Sequence, residues 1–144
     1  SFGGTKNGAI GAEAVVIMNP GRGVRLGHLA KQSMQLSSKM RYNAAQFIAL
    51  FGSDLWLQNA QHANAMAARL AAGIDGLPGV QLMQPQRVNS LFVRLPKGVI
   101  KPLQDEFHFY DWIESEQIVR LMCSWDTTAD DVDAFIAGIR RAVG

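Results

Sequence analysis

The segment Ser1–Gly8, SFGGTKNG, places a single lysine, Lys6, within a short run of glycine and small polar residues. Glycine lacks a Cβ, so the backbone of such a loop can approach a bulky ligand closely. The apolar run Ala12–Met18, AEAVVIM, follows. It predicts a strand buried on both faces, as in a mostly parallel sheet. The pattern therefore predicts an α/β protein in which a lysine loop returns into a sheet.

A lysine amine can condense with an aldehyde, so Lys6 is a candidate anchor for a covalently bound cofactor. On these residues alone, an exposed surface lysine is the simpler interpretation. A Walker-type phosphate loop is excluded, because Thr5 precedes Lys6 and the required glycine spacing is absent.

The rest of the chain predicts two long helices followed by a smaller α+β unit. Helical spacing runs from about Leu26 to Phe51 and again from about Leu55 to Ala72. After Gly76 the period shortens toward two, which predicts a division into residues 1–76 and 77–144. Four strands are expected in the second part, at about 80–83, 90–95, 107–113 and 118–124, with a short helix at 96–106.

The last helix has the clearest end signals in the chain. Thr127 or Thr128 can cap its N-terminus, and two aspartates follow in the first turn. Arg140 and Arg141 lie in the last turn, where positive charge suits the helix dipole.

Charge and composition exclude several classes of protein. The formal net charge is only +2, with 14 basic and 12 acidic side chains spread along the chain. Nucleic acids and anionic membranes require clustered Lys and Arg. No apolar run approaches the roughly 20 residues that span a bilayer. Cys123 is the only cysteine. It cannot form an internal disulfide, and a reducing compartment such as the cytoplasm is expected.

The three histidines, His28, His62 and His108, have no metal-ligand spacing, so no metal site is predicted. Each is expected to be a surface or helix-packing residue. Cys123 is expected to be a small buried hydrophobic residue.

The lysine segment SFGGTKNG, followed by GAEAVV, resembles the cofactor-lysine segment of the low-specificity L-threonine aldolases. The likeness continues in order along nearly the whole chain. It is carried by QLSSKMRYNAAQ (Gln35–Gln46), WLQNAQHANAMAARLA (Trp56–Ala71), PGVQLMQPQRVNSLFVRL (Pro78–Leu95) and VRLMCSWDTT (Val119–Thr128). Each motif alone is moderately specific, and their order and spacing carry the resemblance.

The resemblance implies a type I pyridoxal-phosphate fold, of the aspartate aminotransferase kind. Residues 1–76 would end the large domain, and residues 77–144 would form the small C-terminal domain. Lys6 would hold pyridoxal 5′-phosphate covalently, and Thr5 would contact the phosphate or the lysine. The implied activity is the cleavage of L-threonine or L-allo-threonine to glycine and an aldehyde. A homodimer or homotetramer is expected.

Arg120 is the second candidate, because an arginine inside an apolar strand needs acceptors for its guanidinium. From the residues alone, a rim position or an ion pair with Glu114 or Glu116 explains it. The resemblance implies instead that Arg120 binds the substrate α-carboxylate. Arg22 and Arg25 lie in the loop where type I enzymes often reach a neighbouring subunit's phosphate, although a solvated loop is the simpler interpretation.

The family pattern also places cofactor-binding groups before the lysine, including an aromatic or imidazole ring, an acid for the pyridine nitrogen and a phosphate cradle. None of them can be assigned in this chain, which we expect to be an inactive fragment when alone. Two alternatives stay open: another lyase of the same fold that performs β-elimination, and a non-catalytic interaction domain.

Overall fold

The computed structural model describes residues 1–144 and contains two compact units, Ser1–Leu57 and Gln58–Gly144. The first unit begins with a hairpin and continues into helices. Strand β1 pairs antiparallel with β2, so that Phe2 lies opposite Ala14 and Gly3 opposite Glu13. The elements are β1 (Phe2–Gly3), β2 (Glu13–Ala14), α1 (Leu26–Gln32), α2 (Met40–Phe51) and the start of α3 (Leu55–Ile74).

The prediction of a strand buried on both faces at Ala12–Met18 is wrong for this chain. Only Glu13 and Ala14 are in a strand. Val15 and Met18 are 61% and 89% exposed. The physical reason is that β2 has one two-residue neighbour, β1, and no second strand beside it.

The prediction of one helix from Leu26 to Phe51 is also wrong, because residues 33–39 separate α1 from α2. Met34 has a φ of 55°, which lies outside the right-handed helical region. The hydroxyl of Ser37 accepts a hydrogen bond from the amide of Lys39. Serine side chains that bond nearby backbone groups compete with the helical ladder, which explains the break.

The second unit is a four-stranded antiparallel sheet with three helices. The strand order is β3-β4-β6-β5, and every neighbouring pair is antiparallel. The core includes Ala67, Leu70 and Ile74 of α3. The elements after α3 are β3 (Gln81–Leu82), β4 (Ser90–Arg94), α4 (Ile100–Glu106), β5 (Tyr110–Ile113), β6 (Ile118–Met122) and α5 (Ala129–Val143).

The helices cover one face of this sheet and leave the other open. Successive side chains of a strand point to opposite faces. Leu91 and Val93 of β4 are therefore buried in the core, with Val119 and Leu121 of β6 opposite them. The open face carries the alternate residues of the central strands, namely Phe92, Arg94, Arg120 and Met122.

The predicted N-terminal signal of the last helix is confirmed, with Thr128 as the cap. The Thr128 hydroxyl accepts a hydrogen bond from the amide of Asp131, and the Asp131 carboxylate accepts one from the amide of Thr128. This reciprocal pair satisfies two backbone donors that the helix itself leaves free. The hydrogen bonds from Thr128 hold the pKa of Asp131 below its usual range.

The compact units divide between Leu57 and Gln58 rather than near Gly76. The reason is that most of α3 packs onto the sheet of the second unit through Ala67, Leu70 and Ile74. The division into 1–76 and 77–144 refers to the domains of a longer protein, and it stays a prediction. None of the helices combines the length and the apolar character that crossing a bilayer requires.

Candidate functional site

Lys6 lies in a single 3-10 turn, Thr5–Asn7, within the hairpin of the first unit. The Gly4 amide donates to the carbonyl of Ala12 at 2.7 Å, and the Gly4 carbonyl accepts from the amides of Asn7 and Ala9. Gly8 ends the turn with a φ of 97°, a conformation that favours glycine. Backbone hydrogen bonds within the loop therefore hold the lysine turn in place.

Helix α2 supports this loop from outside. The Gln46 side-chain oxygen accepts hydrogen bonds from the amides of Ile10 and Gly11, at 2.8 and 3.2 Å. The side-chain amide of Asn7, the residue after the lysine, donates to the carbonyl of Trp56 at 3.0 Å. These long-range bonds fix both sides of the lysine turn to the following helices.

An aromatic cluster packs beside the same loop. The ring of Phe2 lies 5.7 Å from that of Phe47 and 5.8 Å from that of Phe51, both in edge-to-face geometry. Trp56 extends the cluster, 6.3 Å from Phe51. Such aromatic pairs favour offset or edge-to-face contacts at these distances. They fix the start of the hairpin against α2.

Within this loop Lys6 is exposed, and its amine has neither a hydrogen bond nor an ion pair. Thr5 is also exposed, and its carbonyl accepts the hydrogen bond from the Gly8 amide. A free primary amine on a loop held by backbone bonds fits a group that binds covalently through an aldehyde. The roles of Lys6 and Thr5 stay predictions.

Arg120 lies in the middle of β6 in the second unit, on the open face of the sheet. It sits between Phe92 of β4 and Tyr110 of β5, its two register partners. Its Nε is buried and has no hydrogen-bond partner. Its guanidinium carbon lies 5.8 Å from the centre of the Trp112 ring. An unpaired guanidinium N–H in this position fits a carboxylate, since arginine can bind that group through two parallel hydrogen bonds.

The alternative of an ion pair between Arg120 and Glu114 or Glu116 is wrong. Glu116 accepts a hydrogen bond from Arg94 at 3.1 Å, and Arg94 also donates to the side chain of Gln81. Arg120 has no carboxylate within ion-pair distance. The two arginines of this face thus differ, because Arg94 is paired and Arg120 is not.

The remaining candidate residues lie in places that a structural role or a surface position explains. His62 is exposed, and its Nε2 lies 2.7 Å from the carbonyl of Thr127. Cys123 is 4% exposed within the core, and burial raises the pKa of its thiol. Arg22 ends a 3-10 turn, Pro20–Arg22, and Arg25 precedes α1, both exposed. No three His, Cys, Asp or Glu side chains gather as a metal site would require.

Sequence reasoning missed two residues that the geometry brings to these sites. Gln46 holds the lysine loop, and Trp112 covers Arg120. Gln46 lies 36 positions from the amide it binds, so no local pattern could reveal it. Trp112 and Tyr110 are two positions apart, a spacing that predicts side chains on one face of a strand. That spacing points to Arg120 only once β5 is known to pair with β6.

Two curated relatives match almost the entire chain. A low-specificity L-threonine aldolase of Pseudomonas aeruginosa is 39% identical over 144 residues, which are 99% of this chain and 41% of that protein. A second, from Pseudomonas sp. strain NCIMB 10558, is 37% identical over 143 residues, again 41% of its length. The resemblance to the low-specificity L-threonine aldolases is confirmed. The chain spans about two fifths of the length of these aldolases, and no family model matches it.

Solved structures agree with this assignment. A threonine aldolase of Leishmania major covers 99% of this chain with a TM-score of 0.88 and 32% identity, and the match takes up 42% of that aldolase. A glycine decarboxylase (P-protein) of the glycine cleavage system covers 82% of the chain, with a TM-score of 0.58 and 19% identity. The chain therefore has the mixed α/β fold of the corresponding part of these enzymes, and the predicted type I fold class is confirmed.

Proposed function

We propose that this chain works as part of a longer pyridoxal-phosphate-dependent aldolase that cleaves L-threonine or L-allo-threonine to glycine and an aldehyde. The observation that carries the proposal is the match to threonine aldolases over 99% of the chain, at 39% identity. The free amine of Lys6 and the unpaired Nε of Arg120 support it. When bound, pyridoxal phosphate would supply an electron sink for breaking the bond between Cα and the hydroxyl-bearing Cβ.

In this proposal Lys6 would hold the cofactor through its Nζ. The loop fixes the backbone at Lys6, because Asn7 and the adjoining backbone are bonded to the carbonyl of Trp56 and to Gln46. Thr5, next to the lysine, would contact the phosphate or the lysine. A fixed anchor keeps the cofactor in the geometry that the reaction requires.

Arg120 would bind the α-carboxylate of the substrate and so orient the bond to be broken. A carboxylate would satisfy the Nε–H that has no partner within this chain. Charge-assisted hydrogen bonds of this kind contribute about 1.5–3 kcal/mol. Replacing Arg120 with Lys should therefore raise the KM for threonine by about 10- to 100-fold, since each 1.4 kcal/mol is a factor of ten.

The decisive experiment is an assay of the full-length polypeptide with L-threonine. Production of glycine and acetaldehyde is expected, whereas pyruvate and ammonia would indicate a β-eliminating lyase. After borohydride reduction with pyridoxal phosphate, the label should map to the peptide that contains Lys6. The Lys6→Ala variant should lose both label and activity, and the control Lys31→Ala, at an exposed lysine of α1, should keep them. A Lys6→Ala variant that keeps both would overturn the proposal.

A matched control exists for Arg120 as well. Arg94 lies on the same face of the sheet but is already paired with Glu116. The Arg94→Lys variant should therefore leave the KM unchanged. Equal KM values for the Arg120→Lys and Arg94→Lys enzymes would exclude Arg120 as the carboxylate-binding residue.

Two further parts of the proposal concern the complete enzyme. We expect a homodimer or homotetramer in the cytoplasm, as the family resemblance implies. Light scattering of the full-length protein would measure its mass, and a monomer with full activity would contradict the oligomer.

A further inference from the structure

Trp112 and Phe92 form an aromatic cover across the central strand of the open sheet face. Phe92 belongs to β4 and Trp112 to β5, and β6 runs between these two strands. The two rings nevertheless lie only 5.1 Å apart, so they meet above β6. The guanidinium carbon of Arg120 lies 5.8 Å from the centre of the Trp112 ring, within the distance of a cation–π contact.

An irregularity in the strand pairing accompanies this arrangement. Tyr110 pairs with Arg120, and Asp111 pairs with Val119, but the next pair joins Ile113 to Ile118. Trp112 is therefore the extra residue of a β-bulge and has no partner of its own on β6. Bulges on edge strands change the direction in which a side chain points. This bulge accounts for the direction of the Trp112 indole, which lies beside Arg120.

The Trp112 ring occupies one side of the guanidinium without satisfying its hydrogen-bonding capacity. An aromatic face attracts the positive charge but does not accept the in-plane Nε–H bond of arginine. The Nε of Arg120 is accordingly buried and unpaired. Arg94, on the same face, shows the contrast, because its guanidinium is held by Gln81 and Glu116.

We propose that Trp112 is a positioning residue that holds the Arg120 guanidinium in one place while leaving it free to bind an incoming carboxylate, with Phe92 supporting the indole. This inference deepens the proposed function. The part that concerns an amino-acid substrate rests on that proposed function. The narrower claim is that the Arg120 guanidinium binds carboxylates and that this binding depends on the Trp112 ring. That claim is testable without cofactor.

The test uses the Nε–H signals of arginine in 15N-correlated NMR spectra of the full-length protein without cofactor. Sodium acetate is the probe, with sodium chloride at the same ionic strength as the reference. The Arg120 signal, assigned with the Arg120→Lys variant, should shift saturably with acetate and not with chloride. The Arg94 signal should stay in place. In the Trp112→Leu variant the apparent dissociation constant should rise about two- to fivefold, the range that cation–π contacts at exposed sites support.

The conservative variant separates positioning from packing. Trp112→Phe keeps an aromatic face and should bind acetate within about twofold of the parent chain. Backbone amide signals of Val119 and Leu121, in the core below, report whether each variant is folded. Should Trp112→Leu unfold, Trp112→Met takes its place, because it keeps a large apolar side chain without an aromatic face and should show the same rise in the dissociation constant.

The inference is overturned if Trp112→Leu is folded and binds acetate as the parent does, or if Arg120 gives the same response to acetate and chloride. These outcomes are independent of the aldolase assay. A full-length protein that does not cleave threonine would leave the NMR result standing, and a failed NMR test would leave the Lys6 labelling result standing.

Discussion

Gly4 is the position at which the lysine loop leaves least room for a side chain. It is buried, and a Cβ placed there would lie 2.8 Å from the Cβ of Ala9 and 3.3 Å from a methyl of Leu50. Its φ and ψ of −94° and −12° are accessible to alanine, so backbone strain does not arise. The side chain of Leu50 can rotate away, but the Ala9 methyl has no rotamer and moves only with the loop.

The Gly4→Ala variant should therefore destabilise the loop. Replacing glycine at a compatible backbone position contributes about 0.4–1 kcal/mol of stabilisation through the unfolded chain. Overpacking a close contact costs about 1–3 kcal/mol, which is the larger effect. The net loss should be about 1–2 kcal/mol, equivalent to an equilibrium constant for loop opening that is about 5- to 30-fold larger.

Hydrogen exchange at the Ala9 amide measures this opening directly, because that amide donates to the Gly4 carbonyl. Its intrinsic exchange rate does not depend on residue 4, which is not its sequence neighbour. The matched control is Gly11→Ala, in the same loop, where an added Cβ meets nothing within 4 Å. The control should exchange at the parent rate or up to about fivefold more slowly, because it lacks the steric cost. Equal exchange in both variants would refute the steric argument.

Three further predictions concern the second unit. Thr128→Ala should lower the free energy of unfolding by about 1 kcal/mol in urea titrations, because it removes the cap of α5. The comparison variant is Thr127→Ala, whose hydroxyl accepts a hydrogen bond from the Ser124 amide instead. Hydrogen bonds from Arg69 hold the pKa of Asp133 below its ordinary 3.8, so this carboxylate stabilises the fold above that pH and loses its contribution as the pH falls through the lowered pKa. Asp133→Asn should thus reduce the fall in melting temperature as the pH drops below about 4, and an unchanged fall would contradict the prediction. Cys123, buried and with a raised pKa, should react with a thiol reagent at neutral pH only when the chain is unfolded, and rapid reaction of the folded chain would contradict its burial.

Local chemistry determined much of this structure from the sequence. The capping box at Thr128, the helix that begins at Leu55 and the alternation of Ser90–Leu95 were all readable, because each depends on residues a few positions apart. The order of motifs also indicated the resemblance to the threonine aldolases, and the match to the Pseudomonas aeruginosa aldolase covers 99% of the chain and 41% of that protein. The prediction of a role for Lys6 came from that resemblance, since an exposed lysine in a glycine-rich loop has no distinctive pattern of its own.

Tertiary contacts decided the rest, because the relevant partners are far apart in sequence. The run at Ala12–Met18 is apolar enough for a buried strand, yet burial needs neighbouring strands, and here only Phe2–Gly3 pairs with it. Arg120 has no carboxylate partner, whereas Arg94 on the same face is paired with Glu116, 22 positions away. The indole above Arg120 depends on a bulge in β5, and strand register is a property of the pairing rather than of either strand alone.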